Sequence, residues 1–266
     1  MKTSKLVLAL AVVACVVVEA APSRAADAGA ERDIVTSEPL PQRTLAAVPN
    51  GVDTYTAFLG QRGVGAAGVG VIESGTTKSD LSGGVRIWGG FLNRFTAVGD
   101  ASRDQKGRFA PSVALGARLL GDRQTGWGLG ALGRYRTEGL TTMDGEVEGG
   151  LMGSYAKRQL HLDLGLIAGV GVEEKEADGE VAFRFGYDVL DVLRLGVEGR
   201  VRRELGDEEA APPAGVKQEE WDAFGGAQAC VAFNHFFGTL TLGPQKLRTS
   251  EQVGFLAHLM LGGVAF

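Results

Sequence analysis

Residues 160–173 read LHLDLGLIAGVGVE, with apolar side chains at every second position. One face carries Leu160, Leu162, Leu164, Leu166, Ala168, Val170 and Val172. The other carries His161, Asp163, Gly165, Ile167, Gly169, Gly171 and Glu173. A period of two sends alternate side chains to opposite faces of a strand, whereas a helix would scatter the same charges around its surface. The pattern recurs on both sides of this stretch. In 180–189, Val181, Phe183, Phe185, Tyr187 and Val189 oppose Glu180, Ala182, Arg184, Gly186 and Asp188. In 193–204, Leu193, Leu195, Val197 and Val201 oppose Arg194, Glu198, Arg200, Arg202 and Glu204. Upstream, 108–120 sets Phe109, Val113, Leu115, Ala117 and Leu119 against Arg108, Ser112, Ala114, Gly116 and Arg118.

Extended along the chain, this reading predicts about 12 strands, within a range of 10 to 14, over residues 63–266. Their expected limits are 64–73, 80–91, 95–103, 108–120, 125–138, 144–157, 159–173, 180–190, 192–205, 222–234, 236–245 and 251–266. The outermost three at each end alternate less cleanly, and 52–60 is a further strand or an internal segment. Glycine numbers 41 of 266 residues, about twice the usual 7 per cent or so. These glycines lie inside the apolar stretches, which argues against both collagen and a flexible linker. The breaks at 93–94, 121–124, 157–158, 191 and 234–235 are short, and those between them are longer and more acidic. Phe91, Phe95, Trp127, Tyr155, Tyr187, Phe233 and Phe237 gather beside the short breaks. Two unlike ends and one aromatic rim fit an antiparallel barrel that crosses a membrane.

The first 25 residues read as a secretory signal. Lys2 and Lys5 precede an apolar run from Leu6 to Val18, and Ser23-Arg24-Ala25 is a small-x-small cleavage site. The alternatives are an uncleaved anchor, for which 13 apolar residues are few, and a lipoprotein signal at Cys15, where Val16 to Val18 continue the apolar run instead of turning polar. Residues 26–62, with Pro39, Pro41 and Pro49, read as a periplasmic linker or extension. Beyond the signal no run of 18 apolar residues occurs, so a barrel is the remaining way across a bilayer. Cys230 is then the lone thiol, and no internal disulfide is expected. A net charge of -5 gives no support for nucleic-acid binding.

The chain ends Val264-Ala265-Phe266. With the alternation, the signal and the two-ended turn pattern, this resembles Gram-negative outer-membrane β-barrel proteins of the small porin-like type, over roughly residues 60–266. The resemblance implies an all-β, up-and-down transmembrane barrel in the outer membrane, surrounded by outer-membrane lipid. It also implies that Phe266 is read by the outer-membrane assembly machinery. In the last strand the set ending at Phe266 includes His258 and Gly262, while Phe255, Leu259 and Leu261 form the greasier set, so its facing stays open. A soluble barrel or sandwich would show the same alternation with its faces exchanged.

Function would reside on the polar face. Pairing 125–138 with 144–157 sets Arg134 opposite Glu148 and Arg136 opposite Glu146. Pairing 180–190 with 192–205 sets Glu180 against Arg202, Arg184 against Glu198, and Asp188 against Arg194. Such opposed charges stabilise a ladder by roughly 0.2 to 1 kcal/mol each. Together with Arg118, His161, Asp163 and Arg200, these are the expected lining residues of a narrow pore for small solutes. The arginines suggest a modest anion preference. The alternative is a non-conducting barrel that docks a larger envelope complex for secretion, polysaccharide export or motility. The short loops are expected to supply no inward constriction, and 12 strands lie between filled 8-stranded and open 16-stranded barrels.

No catalytic, cofactor or metal site is expected. Gly128 to Gly133 and Gly63 to Gly68 both fit G-x-G-x-x-G, but strand alternation continues through or beyond them where a nucleotide site needs a helix. His161 shares a face with Asp163, and Ser154 falls across the turn at 157–158. That trio lies near the short-turn rim, and polar filling is the simpler account. The acids from Glu173 to Glu180 lack the EF-hand spacing and read as a solvated outer loop. The loop 206–220, with Pro212-Pro213, is the longest and the best placed for a partner.

Overall fold

The computed structural model describes residues 44, 45, 48, 64–74, 79–92, 94–103, 109–121, 126–137, 145–172, 177–205, 221–247 and 253–266. The expected signal at 1–25, most of 26–62 and the loop 206–220 lie outside the described residues. Twelve antiparallel strands close into one barrel. They are β1 (Val64–Ser74), β2 (Ser79–Phe91), β3 (Phe95–Arg103), β4 (Phe109–Gly121), β5 (Gly126–Thr137), β6 (Gly145–Lys157), β7 (Leu160–Gly171), β8 (Ala177–Leu190), β9 (Leu193–Glu204), β10 (Trp221–Phe233), β11 (Phe236–Lys246) and β12 (Val253–Ala265). Each strand pairs with its sequence neighbours, and β1 closes on β12 with Val64 opposite Ala265. Closure satisfies every ladder and leaves no edge, which is what a sheet needs in hydrocarbon.

The alternation of the sequence becomes the two surfaces of the wall. Leu162, Leu164, Leu166, Val181, Phe183, Val197 and Val201 are exposed on the outside, and Asp163, Gly165, Ala182, Arg184 and Glu198 are buried inside. An exposed apolar band of this extent on a closed barrel is the surface that lipid covers. In β12 the greasy set, Phe255, Leu259 and Leu261, faces out, and His258 and Met260 face in. Among the described residues no helix is long and apolar enough to span a membrane.

The short connections fix the register. Lys157 opposes Leu160 across a two-residue turn, as Phe233 opposes Phe236. Arg158 (φ 54°) and Asn234 (φ 51°) take the left-handed backbone in these turns, as Leu92 (φ 49°) does between β2 and β3. Aromatic pairs mark this rim outside: Phe91 stacks on Phe95 with centroids 5.6 Å apart, and Trp127 meets Tyr155 at 4.7 Å.

Four expectations need correction. A bulge between Arg118 and Leu120 adds a residue to β4, so Leu120, not Leu119, is the exposed leucine there. Phe237 belongs to the interior, edge-on to Trp88 at 5.8 Å, and Phe236 takes the outer position. β8 begins at Ala177, which brings Asp178 from the supposed outer loop into the wall. The fourth concerns the lumen itself. Thr44, Leu45 and Val48, which the sequence reads as part of a periplasmic linker or extension, are buried against the inner wall, with Val48 N donating to Thr44 O at 3.1 Å.

Candidate functional site in the barrel lumen

The inner wall holds its charges in two groups. The group nearer the long connections begins with Arg134, whose Nη2 donates to Glu148 Oε1 at 2.7 Å while its Nε bonds the other carboxylate oxygen. Both side chains are almost completely buried, at 4% and 3% exposure, so neither charge has water to fall back on. Arg136 reaches Glu146 at 2.7 Å and Glu148 at 3.5 Å. Arg202 donates to both oxygens of Glu146 at 3.0 Å and also bonds Asp178. Glu146, Asp178 and Arg202 come from β6, β8 and β9. They meet over Gly169 of β7, where a Cβ would lie only 2.9 Å from Asp178 Oδ1 and still closer to Glu146. The glycine is the space in which the three charges converge.

The second group lies beside the short turns. Ser154 Oγ donates to Asp163 Oδ1 at 2.7 Å, and Arg184 Nη2 lies 3.1 Å from Asp163 Oδ2. Arg194 Nε donates to Asp188 Oδ1 at 2.5 Å and Nη2 to Oδ2 at 3.2 Å. His161 Nε2 is 2.8 Å from Asp188 Oδ2 and 3.0 Å from Arg194 Nη2. Gly186 lets the Arg194 stem cross β8, since its Cδ would lie 3.1 Å from a Cβ there. Between the two groups β5 to β7 turn apolar residues inward, with Leu132, Met152 and Ile167 buried, while Glu180, Glu198 and Arg200 carry the charge on along β8 and β9.

All five expected cross-strand partners stand opposite each other: Arg134 with Glu148, Arg136 with Glu146, Glu180 with Arg202, Arg184 with Glu198, and Asp188 with Arg194. The side chains do not always follow the register. Arg202 bonds Asp178 and Glu146, and Arg184 turns to Asp163 on β7. Arg118, opposite the inward Gly130, and Arg200, beside Glu198 and Arg202 on the same face, also point inward. The sequence reading missed Arg86, which lies 2.5 Å from Asp100 across β2 and β3, with Ser112 Oγ donating to the other Asp100 oxygen at 3.3 Å. Arg86 and Asp100 could have been found by the same opposite-charge test about the turn at 92–94.

The other half of the lumen is built differently. Trp88, Val98, Phe237, Met260 and Val264 form an apolar cluster, with Met260 at 0% and Trp88 at 2% exposure. Gly65 leaves room for the Trp88 indole, because a Cβ there would fall inside the ring. Thr239, Thr241 and Gln228 add buried neutral groups. Leu45 and Val48 belong to this cluster, Leu45 at 1% exposure. Thr44 Oγ1 donates to Asn234 O in the β10–β11 turn, and Arg194 Nη1 donates to Leu45 O at 3.3 Å. Thr44, Leu45 and Val48 therefore sit in the short-turn mouth. These inward residues come from the N-terminal side of the barrel, a source that the expectation about the short loops leaves out.

The suspected trio does not assemble as a relay. Ser154 donates to Asp163, and the His161 ring lies against Asp188 and Arg194. Among the described residues no three His, Cys, Asp or Glu side chains gather as a metal site.

A closed 12-stranded barrel, apolar outside and charged inside, is a porin-like outer-membrane β-barrel in architecture. The NanC porin superposes with a TM-score of 0.60 at 8% identity, over 74% of this chain and 98% of its own. An outer-membrane channel from Pseudomonas putida F1 gives 0.55 at 11% identity, over 81% of this chain and 100% of its own. The KdgM porin gives 0.53 at 8% identity, over 76% and 99%, and a further KdgM structure holds disordered oligogalacturonate. These likenesses are of fold. No protein-family model and no curated protein matches the chain.

Proposed function

We propose that this protein is a narrow outer-membrane channel for small solutes. The observation that supports this most is a lumen lined by side-chain charges inside a closed 12-stranded wall. A barrel that served only as a membrane anchor has no need of inward arginines, since aliphatic filling stabilises as well or better. Arg118, Arg134, Arg136, Arg184, Arg194, Arg200 and Arg202 would line the path with Glu146, Glu148, His161, Asp163, Glu180, Asp188 and Glu198. Arg134, Arg136, Arg184, Arg194 and Arg202 each hold a carboxylate. That pairing offsets the anion preference suggested by the arginine count. It also gives no open cationic track for an acidic oligosaccharide of the kind bound by KdgM.

The test is single-channel recording of the refolded chain and its Leu45→Asp variant in a KCl gradient. Discrete current steps are expected, with a cation-to-anion permeability ratio within about three-fold of unity because opposite charges alternate along the wall. A strongly anion-selective current would restore the arginine-based reading. A second reading, a non-conducting anchor for an envelope complex, is favoured by the near-inaccessible packing of Leu45, Trp88 and Met260. Silence from both forms, in barrels that migrate as compact heat-modifiable species, would establish that reading in place of the channel.

A further inference from the structure

We infer that the segment carrying Thr44, Leu45 and Val48 is an intramolecular plug, which seals the short-turn mouth and leaves its seat when the channel opens; this rests on the channel reading above. The seat is specific. Leu45 and Val48 are buried in the cluster of Trp88, Phe237, Met260 and Val264. The Thr44 hydroxyl bonds the Asn234 carbonyl, 190 residues away, and the Leu45 carbonyl accepts from Arg194. Side chain, hydroxyl and backbone are each recognised by a different part of the rim. In barrels of this type the short turns face the periplasm, so the plug closes the inner mouth.

The same contacts are built to be released. The barrel closes through β1 on β12 without Thr44, Leu45 or Val48, so these three residues can leave without breaking a strand pair. Arg194 keeps both Asp188 hydrogen bonds when Leu45 departs, so no buried charge is orphaned.

The experiment uses the chain with Cys15 and Cys230 replaced by serine. Leu45→Cys is probed with a membrane-impermeant maleimide, and Leu45→Asp is recorded in a planar bilayer beside the parent. Labelling of Leu45→Cys is expected to be at least about ten-fold slower in the folded barrel than in urea. Leu45→Asp removes a buried leucine and cannot place a carboxylate in that cluster, so the conducting fraction should rise about 100-fold. Fast labelling of the folded chain would show that the seat is empty and overturn the plug. Slow labelling with equal conduction in parent and variant would leave a seated segment that gates nothing, and the gating proposal would fail while the channel stood. Thr44→Cys, labelled rapidly in the Leu45→Asp chain, confirms displacement. If displaced barrels are still silent, the channel reading fails and the gate falls with it.

Discussion

The wall from β5 to β9 and the wall from β10 through β12 and β1 to β3 face one lumen but stabilise it by opposite means. The first is filled mainly by ion pairs, with Arg134–Glu148 and Arg194–Asp188 as its two poles. The second is filled mainly by Trp88, Phe237 and Met260, with the ion pair Arg86–Asp100 beside them. Ion pairs are costly to desolvate and therefore must be complete, whereas an apolar cluster tolerates exchange of its members. It follows that the charged half holds a fixed shape and the apolar half is where a removable segment can be seated. Leu45 is found there, with a single hydrogen bond from Arg194 crossing to the charged side.

The sharpest way to break this contrast is Arg134→Ala. It takes the two-pronged partner from Glu148 in a site of 3% exposure and leaves Arg136 at 3.5 Å, and loss of one partner of a buried pair costs about 3–5 kcal/mol. The urea midpoint of the refolded barrel should fall accordingly, and Arg134→Met combined with Glu148→Leu should recover most of the loss. A single variant as stable as the parent would mean that water reaches Glu148. On the apolar side Met260→Ala should cost about 2–4 kcal/mol as a cavity, with no partner substitution able to rescue it except a bulkier neighbour. A pairwise rescue in that half would erase the distinction between the two.

How the two halves read in the sequence follows from the same chemistry. On β5 to β9, arginines and acids alternate with Leu, Val and Phe, and two-residue turns pin the register, so the ladders can be drawn by counting outward from Arg158 or Asp191. On β2, β11 and β12 the inward Trp88, Phe237 and Met260 are as apolar as the outward Ile87, Phe236 and Leu261. The contrast that marks a face is absent, which is why the aromatic rim read from the sequence takes in Phe237 and the facing of β12 stays open. Leu45 was out of reach for a further reason. Its partners lie far along the chain and its segment carries no period of two, so nothing local distinguishes a plug from a linker.

Within the charged half, Arg136 gives a graded comparison. Its side chain is 35% exposed, and Glu146 keeps Arg202 when it is removed. Arg136→Ala should therefore cost about 1 kcal/mol or less, against the several expected for Arg134 two residues away. Equal losses in the two urea titrations would show that the outer end of the lumen is as dry as the middle.

The smallest expected effect compares one turn from each half. Arg158, between β6 and β7, and Asn234, between β10 and β11, both hold φ near 50°. Left-handed backbone costs an ordinary L-residue about 1–2 kcal/mol, and asparagine visits it far more easily. Glycine removes that strain but restores freedom to the unfolded chain, worth about 0.5–1 kcal/mol. Arg158→Gly should thus stabilise the barrel by about 0.5 kcal/mol, and Asn234→Gly should be neutral or slightly destabilising. Asn234 has a second duty, since its carbonyl receives the Thr44 hydroxyl. A looser turn there should loosen the plug, so Asn234→Gly should raise the conducting fraction while Arg158→Gly leaves it alone. If both turns change conduction alike, the short-turn rim moves as one body, and the assignment of the gate to the apolar half is wrong.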